Sequence, residues 1–176
     1  MNYQGDLGLN SLSSRQHEEL NRLRIAIADH FHHRQNLIDR SNKAALHAAD
    51  LLQYIDADIM VTLVSSHFFE IGFETAHRWH GDLYERFLGQ ENIKAAGAIL
   101  STLTVDTDFA TEVCELVSSI YGQAVINTPE FRITWDAMNL IKCTASVTLD
   151  REQLKAHLNR LFQTEPGYRR ACAQLL

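Results

Sequence analysis

From Ile59 to Leu88 the chain reads IMVTLVSSHFFEIGFETAHRWHGDLYERFL, with no proline and the largest aromatic cluster in the sequence. Phe69, Phe73, Ala76, His80, Leu83 and Phe87 recur at spacings of three and four. So do Val61, Val64, Phe68, Gly72, Ala76 and Trp79. Together these rows make an apolar arc too wide for a helix lying on a surface. The spacing therefore predicts one long central helix, over about residues 58–88, with the other helices packed around it. Asp56 or Asp58 is its expected N-cap and Gly89 its expected C-terminal glycine. At 1.5 Å per residue it would run roughly 45 Å, long for a globular helix, so the pattern leaves room for a bend near Gly72. His67, Glu70, Glu74 and His77 break the apolar run and exclude a membrane span.

The same periodicity places elements on either side. Ser13 and Gln16 form a capping box before Leu20, Leu23, Ile27, Phe31 and Ile38. Ser41 is the expected cap of a second helix through Ala44, Ala45, Ala48, Leu51, Leu52 and Ile55, and the pattern leaves open whether the two are continuous. After Gly89 comes a small-residue helix with Ile93, Ala96, Ile99, Leu100 and Leu103. Thr107 or Asp108 is expected to cap a helix facing Phe109, Val113, Leu116, Val117, Ile120, Ala124 and Val125 inward. The firmest boundary is Asn127-Thr128-Pro129-Glu130, where a threonine cap, proline at the first helical position and an acid in the first turn agree. That helix presents Phe131, Trp135, Met138, Ile141 and Ala145. Thr148 or Asp150 starts another, through Leu154, Leu158, Leu161 and Phe162, and Thr164-Glu165-Pro166 starts the last. Ala145 to Leu149 is the one strand-like run and is too short to build a sheet around. The expected architecture is all-α: a flexible arm over residues 1–12, then a single domain over 13–176 with seven or eight helices.

Composition fits that picture. Among 176 residues there are only 2 prolines and 8 glycines, so few turns are punctuated. A hydrophobic share of 45% and a charged share of 22% suit a globule with a real core. Met1 to Ser14 has no secretory pattern. Cys114, Cys143 and Cys172 are odd in number and lie among apolar neighbours, which points to reduced, buried thiols and a cytoplasmic setting. A net charge of −6 argues against nucleic acid as a partner.

Nine histidines supply the candidate chemistry. On a continuous helix His67, Glu70, Glu74 and His77 would share one ridge. Glu74 and His77 make an E-x-x-H pair of the kind used in di-iron bundles, and these ligands suit iron, zinc or manganese. No second E-x-x-H exists in the chain, and a solvated polar face explains the four residues as well. His30, His32 and His33 form a second cluster, with His33 opposite Asp29. Five histidines between Arg15 and His47 would make that segment more basic below about pH 6.5. His80 interrupts the apolar stripe between Ala76 and Leu83, flanked by Trp79 and Tyr84, as a core histidine does, or a haem ligand between aromatic walls. No nucleophile elbow, P-loop, dinucleotide fingerprint or H-E-x-x-H occurs. Trp79, Tyr84, Phe131 and Trp135 are the residue types that anchor interfaces. The expectation is a small helical protein that regulates, adapts or inhibits through protein–protein contacts, as a homodimer. The alternative is a metal- or haem-binding sensor or oxidase.

Overall fold

A computed structural model of the chain describes residues 12–122, 126–143 and 150–176. The expected arm over residues 1–11, Ala124 and Val125 of the expected inward face, and the strand-like run Ala145 to Leu149 lie outside them. The described residues form nine α-helices and one 3-10 helix, with no strand. They are α1 (Ser14–His30), α2 (Gln35–Leu51), α3 (Ile59–His67) and α4 (Phe73–His80), then the 3-10 turn Gly81–Arg86. After these come α5 (Leu88–Thr102), α6 (Thr107–Ile120), α7 (Pro129–Lys142), α8 (Arg151–Leu161) and α9 (Glu165–Leu175).

The all-α class holds, but the long central helix does not. It is cut after His67, again after His80, and once more before Leu88. Only its first piece sits at the centre. In α3 every residue from Val61 to His67 is buried, and this helix packs against α2, α6, α7 and α1. The second piece lies outside. In α4 only Ala76 is buried, and the 3-10 turn buries none of its residues. Gly81 has φ +54°, a conformation that glycine tolerates and that ends α4 abruptly. Gly89 is no helix terminus; it lies buried inside α5.

The first cut is the best explained. Phe68, Phe69 and Ile71 are fully buried in the turn between α3 and α4. Buried turns leave backbone groups without helical partners, and these must be met from elsewhere. Asn92 of α5 accepts from Gly72 N at 2.7 Å and donates to Phe69 O at 2.7 Å. Tyr121, at the end of α6, donates its hydroxyl to the same carbonyl. His30, at the end of α1, reaches Ile71 O at 2.9 Å and must donate through Nε2. Three helices therefore satisfy a break that local sequence alone would fill with helix.

The first two helices are separate. Ser13 and Gln16 make the expected capping box. However, α1 ends at His30, and His32 and His33 adopt left-handed φ of 49° and 57°. Each costs roughly 1–2 kcal/mol for a residue with a β-carbon. Phe31, anchored in the core at 2% exposure, holds the corner. Ser41 caps nothing; it is buried inside α2. Leu12, assigned to the arm, is buried and belongs to the core. Asp106 rather than Thr107 or Asp108 caps α6, while Asp58, Thr128, Asp150 and Thr164 cap their helices within the expected boundaries.

The C-terminal pair α8–α9 has its own small apolar cluster of Leu140, Leu158, Phe162 and Ala171. A polar fastening adds to it. Asp136 of α7, fully buried, accepts from Gln163 N at 2.7 Å, Thr164 N at 2.9 Å and Thr164 Oγ1 at 2.6 Å. Thr164 in turn caps α9 through Gly167 N. Arg170 pairs with Asp50 of α2. Asp136→Ala leaves those part-buried donors without their acceptor, so it should cost on the order of 1–3 kcal/mol. Amide exchange is the check: protection should fall first in residues 163–175. If α1 to α6 lose protection equally, Asp136 is not a local fastener.

Candidate functional site

A cleft lies where the broken rod faces the end of α7. Its cavity is about 530 Å³. Arg40 of α2 and Glu70 of the α3–α4 turn form one wall, with two parallel bonds, Nε to Oε2 at 2.8 Å and Nη2 to Oε1 at 2.9 Å. This hydrogen-bonded pairing raises the Arg40 pKa further above its ordinary value. Tyr121 forms the floor, and burial pushes its phenol well up. Lys142, in the last turn of α7, sets its ammonium 5.3 Å from the centre of the Tyr121 ring. Lys142 is exposed as a residue, yet desolvation by the cleft walls lowers its pKa. Tyr84 and Glu85 of the 3-10 turn close the rim, and Leu88 and Ile141 add apolar surface.

Two breaks in regular structure make this cleft. The turn after His67 points Glu70 at Arg40, and the turn after Gly81 brings Tyr84 and Glu85 over the opening. Sequence reading missed Arg40, Glu85, Tyr121 and Lys142. The local signal was slight: an arginine and a lysine, each near the boundary of an apolar stripe.

The four expected metal ligands do not share a ridge. His67 is buried at 1% exposure, with Nδ1 3.1 Å from Ser41 Oγ. Burial, with help from Arg24, lowers its pKa to about 3. Glu70 is held by Arg40, and Glu74 is ion-paired with Arg34. His77 is exposed, tilted against Tyr84 and stacked near Phe73. The cut after His67 removes the helical register that would have aligned them. Among the described residues no three histidine, cysteine or carboxylate groups are placed to hold a metal ion.

His80 is not a core residue. It is half-buried at the end of α4 and stacks on Phe87, with the ring centres 3.8 Å apart. The second histidine cluster is also dispersed: His30 turns inward to Ile71, while His32 and His33 stay exposed, His33 3.6 Å from Asp29. The aromatic anchors divide. Phe131 and Trp135 pack on the core, and the Trp135 Nε1 donates to Leu161 O at 2.8 Å. Tyr84 is half-buried against Phe73 and His77. Trp79 is 74% exposed, and Leu83 beside it 57%.

No described helix is long and apolar enough to cross a membrane. The described residues thus form an all-α protein with a charged cleft lined by Arg40, Glu70, Glu85 and Lys142 and with Trp79 exposed at its surface. Comparison with protein-family models, curated proteins and solved structures finds no match.

Proposed function

We propose that this chain is a small cytoplasmic binding protein, a regulator, adaptor or inhibitor that works through protein–protein contacts and as a homodimer. The observation that carries the reading is the exposed pair Trp79 and Leu83, four residues apart on a segment that buries little of itself. Tryptophan on an open surface is costly to hydrate and effective when covered. Around it Arg78 and Arg86 flank Asp82, and none of the three is in an ion pair among the described residues. Mixed charges beside an apolar edge suit a two-fold contact, in which one patch meets its own copy. The half-buried free thiols of Cys114, Cys143 and Cys172 agree with a reducing setting. A metal- or haem-binding sensor draws no support from the positions of His67, Glu70, Glu74, His77 and His80.

Light scattering behind size exclusion tests this. At micromolar concentration the wild type should run at about twice the 20.0 kDa chain mass. The double variant Trp79→Ser with Leu83→Ser should run as a monomer with an unchanged circular dichroism spectrum. A monomeric wild type, or a dimer indifferent to both changes, removes the proposal.

A further inference from the structure

We infer that the cleft at the broken rod binds a small zwitterion, a free α-amino acid with an apolar side chain, between Lys142 and Glu85. Each polar group lining the cleft has either spent its charge or kept it. Arg40 and Glu70 have spent theirs on each other through two bonds, so they form a neutral wall. Lys142 has no carboxylate within 4.0 Å among the described residues, only the face of Tyr121. Glu85 has no cationic partner there, and its contact from the Tyr84 hydroxyl is 3.4 Å, a weak bond. Burial disfavours the Lys142 charge; Glu70 favours it and Arg40 opposes it, and Glu85 adds a smaller favourable effect without touching it. Two unspent charges of opposite sign, from the 3-10 turn and from α7, therefore open onto one cavity.

The lining chooses among ligands. Arg40 and Lys142 balance Glu70 and Glu85, so the cleft as a whole is neutral. A phosphate or dicarboxylate would meet Glu70 and Glu85, and a plain amine would meet Arg40 and Lys142. A neutral ligand would desolvate both free charges without pairing either, which costs binding energy. A molecule carrying a carboxylate for Lys142 and an ammonium for Glu85 avoids all three penalties. Leu88 and Ile141 then offer its side chain an apolar surface. The cavity of about 530 Å³ lies within the range of small-molecule sites and holds such a ligand.

The probes are leucine, methionine and phenylalanine, with leucinamide lacking the carboxylate and N-acetylleucine lacking the ammonium. Titration calorimetry on the whole chain, with amide chemical shifts, reads the site. At least one of the three amino acids should bind at millimolar concentration or below and shift residues 84, 85, 121 and 142. Each single-charge analogue should bind about tenfold more weakly or worse. Lys142→Gln and Glu85→Gln, both at exposed positions, should weaken binding by a similar factor with unchanged melting temperature. If none of the amino acids binds, if N-acetylleucine binds as well as leucine, or if both variants bind like wild type, the inference falls. These readouts are independent of subunit mass, so they stand or fall apart from the homodimer.

Discussion

Gly72→Ala should be among the most damaging single changes in this chain, costing about 3 kcal/mol or more, although the glycine has an ordinary backbone. Its φ is −88°, which alanine adopts freely, so the cost is purely steric. A β-carbon there would lie 2.3 Å from the Glu91 carbonyl carbon and 2.4 Å from Asn92 N. Those are backbone atoms of α5, and no rotamer change can clear them. Relief requires separating the α3–α4 turn from α5, which also strips Gly72 N and Phe69 O of the Asn92 amide. Gly97, on α5 itself, is the matched control. Nothing lies within 4 Å of a β-carbon built there, so Gly97→Ala should raise stability by about 0.5–1 kcal/mol through helix propensity. Urea unfolding of both variants decides the matter. Similar, small losses in the two would mean that the close approach of the turn to α5 is not what holds the break.

The second large effect is a loss of stability in acid that runs through His67. The Ser41 hydroxyl donates to His67 O at 2.8 Å, so it must accept from His67 Nδ1. That leaves Nε2 as the bare nitrogen, buried and without a hydrogen-bond partner among the described residues. A proton placed on it would put a charge in the core with no acceptor. Burial accordingly lowers the pKa from 6.5 to about 3. A depressed pKa in the fold gives stability that is present above 6.5 and lost as pH falls toward 3. Over that window the loss is on the order of 5 kcal/mol. Asp136 works in the opposite sense. Burial outweighs its three donors and raises its pKa to about 6, so its contribution is present below 3.8 and lost as pH rises through 6. The two effects partly cancel in the wild type. The clean measure is therefore the stability of wild type relative to His67→Met, which should fall steadily from pH 7 to pH 4. A difference that stays constant over that range would show that His67 does not carry the dependence.

The candidate site was far less legible than the helices. The expected ligand row assumed that residues 67 to 77 keep one helical register, and the turn at 68–72 rotates Glu70 toward α2 instead. Arg40 gave no sign of its role, because its partner is 30 residues away and the pairing depends on α2 packing against α3. Tyr121 and Lys142 reach the cleft from two further helices. Trp79 was placed both on the core stripe and among the interface anchors. The solvent-exposed position follows from α4 leaving the core, not from anything adjacent to it in the chain.

The sequence by itself determined the helical class and most of the helix starts. Capping needs only a side chain and the backbone two or three residues ahead, as at Ser13, Thr128, Asp150 and Thr164. Tertiary structure alone decided where the apolar run from Ile59 to Leu88 breaks. Nothing between Phe68 and Phe73 forbids a helix locally. The turn is stable because Asn92, Tyr121 and His30 arrive from three other helices to satisfy its carbonyls and Gly72 N, and because Gly72 lets α5 pack against it. Those groups have no sequence neighbourhood in common, so only the packed chain brings them together.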